Sequence, residues 1–168
     1  MNKKTKQIIF SSLLVIIWML IIFNFSNMNT IKSNGTSKGI IYKIVDITIE
    51  TGNRVGLIKE IPSEKEKQII TNTLNLPLRK FMHFAIYMIL SIFILKTLKY
   101  ANIKNKYFIT ILICFVYALT DEYHQTFISG RTGQFTDVLI DTLGASIGAI
   151  IYNKLRQKTT KRNKNDGD

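Results

Sequence analysis

The chain has 168 residues, 46% of them hydrophobic, and carries 23 Lys and Arg against 11 Asp and Glu, a formal net charge of +12. A length of this order makes one domain, and the lone cysteine, Cys114, excludes an intramolecular disulfide. Basic and apolar residues fall in separate blocks, which argues against nucleic acid as a partner, since such a binder gathers its cations on one face of a soluble domain. Segregation of this kind predicts an all-α, multi-pass membrane protein, because helices satisfy their own backbone groups in hydrocarbon.

The first apolar block, residues 7–31, holds no charged residue and follows Lys3, Lys4 and Lys6. It predicts a retained first span over 8–25, since it is long and lacks a small-residue cleavage motif. Residues 26–80 predict a long outer segment with two short amphipathic helices. In the first, Ile40, Ile41, Ile44, Val45 and Thr48 recur at helical spacing after an N-cap at Ser37. The second opens with a capping box at Ser63 and Glu66, continues with Ile69, Ile70 and Leu74, and stops near Pro77. Both helices can lie on the outer leaflet or form a hairpin packed on itself.

Three more spans are predicted over 81–98, 107–123 and 135–152. The last two have short uncharged runs, 14 residues over 107–120 and 12 over 142–153, where a span needs about 20. To cross, they must draw Asp121, Glu122 and Asp141 to the membrane surface or below it. Ionisable groups there are costly and face the protein interior or a wet cavity. Lysines and arginines concentrate at the N-terminus, between spans two and three (Lys96, Lys99, Lys104, Lys106) and after residue 153. The positive-inside rule therefore places both termini in the cytoplasm and the acidic cluster outside. Arg79 and Lys80, outside the second span, break the rule, as charges with acidic partners would. The membrane domain is expected over 1–155, with a basic, disordered tail over 156–168 that is attracted to anionic lipid.

Helical spacing then groups the polar side chains. Arg79, His83 and Tyr87 follow i, i+4, i+8; Asp121 and Gln125 share a face; Asp137 and Asp141 are i, i+4. Three helix ends thus present Arg79, Lys80, His83, Asp121, Glu122, Gln125, Arg131, Asp137 and Asp141 to one leaflet. One reading is a purely structural network of ion pairs. Another is a ligand site, because arginines grip phosphate in a bidentate fork, with Glu122, Asp137 or His83 as candidate general bases. The third is a cation site or proton relay, although no dense ligand motif is present, so no metal and no cofactor is expected. Gly144 and Gly148 form a G-x-x-x-G, which serves close packing within the chain or a homodimer.

These residues resemble the VanZ-like family, named for a protein associated with resistance to the glycopeptide teicoplanin. The resemblance rests on Phe23-Asn24-Phe25-Ser26 closing the first span and on Arg79-Lys80-x-x-His83-Phe84-x-x-Tyr87. It continues in Thr120-Asp121-Glu122-x-x-Gln125-x-Phe127-x-x-Gly130-Arg131 and ends in Asp137-Val138-x-x-Asp141-x-x-Gly144, covering about residues 8–152. Family members often have Asn where this chain has Asp141. The resemblance implies a multi-pass protein of the bacterial cytoplasmic membrane that lowers glycopeptide susceptibility. With the arginines, it makes a phosphate-bearing envelope component the expected partner: a membrane lipid such as a cell-wall precursor, or a teichoic-acid-type polymer. The alternatives are a membrane hydrolase or transferase acting on such a lipid, or a structural partner of envelope machinery.

Overall fold

The structure, a computed structural model, describes the backbone of residues 1–27, 30–58 and 60–165, with side chains placed for all of these except 30–34 and 158–165. The described residues form five helices: α1 (Lys3–Ser26), α2 (Thr30–Arg54), α3 (Glu64–Tyr100), α4 (Lys106–Gln125) and α5 (Phe135–Asn165). The fold is all-helical, as the composition predicts. α1, α3 and the Phe135–Gln157 part of α5 are long and apolar enough to cross a membrane. α4 is not among them: it has 20 residues, but Asp121 and Glu122 near its end offset its apolar run.

α3 is the axis of the molecule and touches each of the other four helices. Its contact with α5 is the closest, and the glycines explain it. A Cβ on Gly144 would lie 2.2 Å from the Phe84 carbonyl oxygen, and one on Gly148 would lie 2.3 Å from that of Met88. No side chain fits there, so the small-residue motif is used inside the chain, letting two backbones meet. α1 is tied in by two long-range hydrogen bonds: Trp18 Nε1 donates to the Ile86 carbonyl at 2.8 Å, and the Tyr117 hydroxyl donates to that of Met19 at 2.6 Å.

The bundle is inverted relative to a water-soluble protein. On α4, Phe108, Leu112, Val116 and Leu119 are exposed, whereas Thr110, Cys114, Ala118, Asp121, Glu122 and Gln125 are buried. On α5, Leu139, Leu143, Ile147 and Ile150 are exposed, whereas Asp141 is fully buried. Apolar stripes of that length facing water would be an aggregation liability; facing lipid tails they carry no penalty.

Three expectations for the connecting regions are corrected. Residues 64–100 form one continuous helix through Pro77, not a short helix that stops there. A mid-helix proline forfeits a hydrogen bond and costs about 3 kcal/mol. Here packing holds the axis on both sides: Lys67, Thr71 and Leu78 lie against α2 or its core, and Tyr87, Leu90 and Ile94 lie in the bundle. Ser37 is not an N-cap but sits inside α2, where its hydroxyl bonds Asn75 Oδ1 on α3 at 2.5 Å. α5 continues to Asn165, so it covers most of the tail expected to be disordered; residues 166–168 lie outside the described part. The capping box at Ser63 and Glu66 forms as read.

Candidate functional site

The sequence places the polar residues at three helix ends, and the structure brings those ends together. At the rim, Lys80 of α3 pairs with Asp137 in the first turn of α5 at 2.5 Å, and both side chains are partly exposed. One turn deeper, His83 Nδ1 stands 3.6 Å from Asp141 Oδ2. From α4, Asp121 enters the same space, its Oδ2 accepting a 3.3 Å hydrogen bond from Gln125 Nε2. Tyr87, fully buried, lies a further turn along α3 beneath these carboxylates, and Ser26 approaches Asp121 from the end of α1.

Glu122 has a different task. Its Oε2 accepts the backbone N–H of Gln134 at 2.9 Å, immediately before α5 begins. A carboxylate at that point satisfies an otherwise free donor and complements the positive end of the helix dipole. The loop must fold tightly against α4 to allow this. Gly133 supplies the approach, because a Cβ there would lie 2.4 Å from the Glu122 carbonyl oxygen. Gly130, at φ +75°, supplies the left-handed turn before it.

Arg79 and Arg131 stand at the mouth of the site. Arg131 is half-buried on the loop, and that burial, together with Arg79 beside it, lowers its pKa from the usual guanidinium range, against the opposing pull of Asp121 and Glu122. Arg79 and Arg131 line the same groove. Two hollows meet at Arg79 and His83. One is a polar cleft of about 40 Å³ between α3 and α5, lined by Lys80, Gln125, Asp137 and Asp141 among others. The other is an apolar groove of about 180 Å³ walled by Phe25, Ile40, Leu78, Met82 and Ile86, with Arg79, His83 and Arg131 at its polar side.

All nine residues singled out in the sequence thus lie at one end of the bundle. His124, at an unspecified position of the Thr120–Arg131 motif, faces α1 instead, with its ring 4.8 Å from that of Phe23. Sequence reasoning assigned no part in the site to Ser26 or Tyr87. The signals were present, since Ser26 closes the first-span motif and Tyr87 continues the face of Arg79 and His83. It also expected no metal. The structure brings one ligand atom each from His83, Asp121 and Asp141 within 4.8 Å of one another. Spacing in sequence could not show this, because the three residues come from three helices.

The family model described as VanZ/LLP1 matches residues 11–156. No curated protein and no solved structure matches the chain.

Proposed function

The chain belongs to the VanZ/LLP1 family, and from that premise we propose that this VanZ-like membrane protein binds a phosphate-bearing envelope lipid at the outward-facing end of its bundle. The observation that carries the reading is the apolar groove that Arg79 and Arg131 both line. Two guanidiniums lining one apolar groove match a molecule with a phosphate head and a hydrocarbon chain. Each fork can take two phosphate oxygens, and the anion relieves the repulsion between them. Binding is favoured over catalysis because the candidate bases Glu122 and Asp137 are committed to the α5 start and to Lys80. Sequestering such a lipid would lower glycopeptide susceptibility.

In this reading α4 is the fourth span. Its exposed face is apolar from Phe108 to Leu119, with Thr120 and Tyr123 following near its end, and its acids are buried, so it meets lipid as α1 does. Both termini then lie in the cytoplasm of a bacterial cell, with residues 27–76 and 124–134 outside. Single cysteines replacing Asn53 or Thr132 in a Cys114→Ala background should react with an impermeant reagent from outside. One replacing Ile103 should react only after permeabilisation.

The binding test compares a polyprenyl phosphate with the corresponding polyprenol, using the purified full chain in nanodiscs. The phosphate should bind at least about tenfold more tightly, the scale of one lost charge-assisted bond or more. Arg79→Ala and Arg131→Ala should erase that preference, and Arg131→Lys should restore part of it. Equal affinity for the two lipids would sink the proposal. In cells, both alanine variants should remove any glycopeptide phenotype while membrane levels stay normal.

A further inference from the structure

The deepest part of the site poses a problem that the lipid reading does not address. Asp141 is fully buried, yet neither of its carboxylate oxygens has a hydrogen-bond partner. Asp121 is 3% exposed, and its Oδ1 is likewise without one. His83 Nδ1 and the Tyr87 hydroxyl, both buried, are in the same position. Buried polar atoms are almost always hydrogen-bonded, and leaving a charged one bare is among the most costly defects a fold can carry. Here His83, Asp121 and Asp141, from α3, α4 and α5, bring one ligand atom each within 4.8 Å of one another, and His83 and Asp141 line the cleft between α3 and α5.

The distances indicate what would satisfy them. His83 Nδ1 and Asp141 Oδ2, 3.6 Å apart, are too far for a hydrogen bond. Two ligands bound about 2.1 Å from a tetrahedral ion stand about 3.4 Å apart, close to the His83–Asp141 spacing, and Asp121 completes a set whose ligand atoms lie within 4.8 Å of one another. We propose that His83 Nδ1, Asp121 and Asp141 form a binding site for a divalent metal ion of the zinc class, with the fourth coordination position facing the cleft between α3 and α5. One imidazole and two carboxylates suit a borderline ion. Calcium, which takes six to eight oxygen ligands, is poorly served by three groups. Two negative charges from the aspartates balance a dication in a setting where neither could stand alone. The cleft of about 40 Å³ holds about one water, the fourth ligand of an open zinc site. The inference uses neither arginine, and His83 is the one ligand that also lines the apolar groove of the lipid reading.

The test uses the full chain, freed of any affinity tag, purified in detergent and dialysed against Zn²⁺ before gel filtration. Elemental analysis should find about one zinc per chain. Replacing zinc with Co²⁺ should give the visible d–d absorption of a four-coordinate site, a readout that needs no variant. His83→Gln and Asp141→Asn should each weaken zinc at least about tenfold in chelator competition, whereas Asp137→Asn, at the rim, should retain it. Asp141→Asn should also keep the polyprenyl-phosphate preference, which separates the fate of this site from that of the lipid groove. Wild-type protein without stoichiometric zinc and without the cobalt spectrum, or variants that hold zinc as tightly as wild type, would overturn the assignment.

Discussion

The α2–α3 hairpin and the polar end of the bundle are built from the same kinds of residue and use them in opposite ways. In the hairpin, Ile41, Val45 and Ile49 of α2 form a small apolar core with Ile58 and Leu78, and a group of paired charges ties α2 to α3. Lys67 reaches Asp46 at 2.6 Å and Glu64 at 3.1 Å, and the Tyr42 hydroxyl donates to Glu64. In the bundle the arrangement is reversed, with isoleucine, leucine and phenylalanine outside and Asp121 and Asp141 inside. Charges that stabilise a structure are matched where they stand, as in the hairpin. In the bundle the buried carboxylates are matched more thinly: Asp141 has His83 at 3.6 Å and Asp121 has Gln125 at 3.3 Å.

The sharpest way to break this contrast is to separate α3 from α5. Gly144→Val places a side chain where the Phe84 backbone already lies, and backbone cannot yield as a side-chain tip can. Overpacking commonly costs about 1–3 kcal/mol, and this position should reach or exceed the top of that range. Thermal unfolding in detergent should show a large loss, with the site destroyed as well. The same substitution at Gly39, where an added Cβ meets nothing, should leave the bundle unfolding unchanged.

Removing a tie between α1 and its neighbours should cost less. Tyr117→Phe deletes the donor to Met19, and Trp18→Phe the donor to Ile86. Each should lower stability by about 1 kcal/mol, the net worth of a typical hydrogen bond. The double variant should lose about the sum, since the two bonds share no partner.

At the rim, the Lys80–Asp137 pair is about a quarter exposed on both sides, so solvent screens it. Lys80→Met should therefore cost about 1 kcal/mol or less and should weaken with added salt in wild type. A loss several times larger would show that the rim pair, and not the glycine contact, sets the spacing between α3 and α5.

The smallest effect is expected in the hairpin and depends on pH. The Tyr42 hydroxyl first, then Lys67, holds Glu64 below its ordinary value of 4.5. A depressed carboxylate contributes stability above its unfolded pKa and loses it as pH falls through the lower, folded value. Lys67, raised by Asp46 and Glu64, keeps its contribution at every pH below the ordinary lysine range. Between neutral pH and about pH 4, hydrogen exchange over residues 41–49, corrected for its intrinsic rate, should rise only as Glu64 begins to protonate. Tyr42→Phe should move the onset to higher pH, because the main cause of the depression is gone.

Much of this was legible in the residues themselves. Segregated charge and apolar blocks fixed an all-helical membrane chain, since hydrocarbon permits little else, and the i, i+4 spacings fixed which polar residues share a face. The capping box at Ser63 was readable because it is local, needing only four consecutive residues. Pro77 misled for the matching reason: a local rule predicts a stop, and only packing against α2 and the bundle carries α3 through it. The sequence placed Glu122, Asp137 and Asp141 in one cluster but could not divide their work. That division came from tertiary structure, which set Glu122 on the Gln134 amide, Asp137 on Lys80, and Asp141 beside His83 and Asp121. Helical periodicity assigns a side chain to a face, whereas the distance between atoms on three different helices is decided by how closely those helices pack, and here two glycines on α5 decide it.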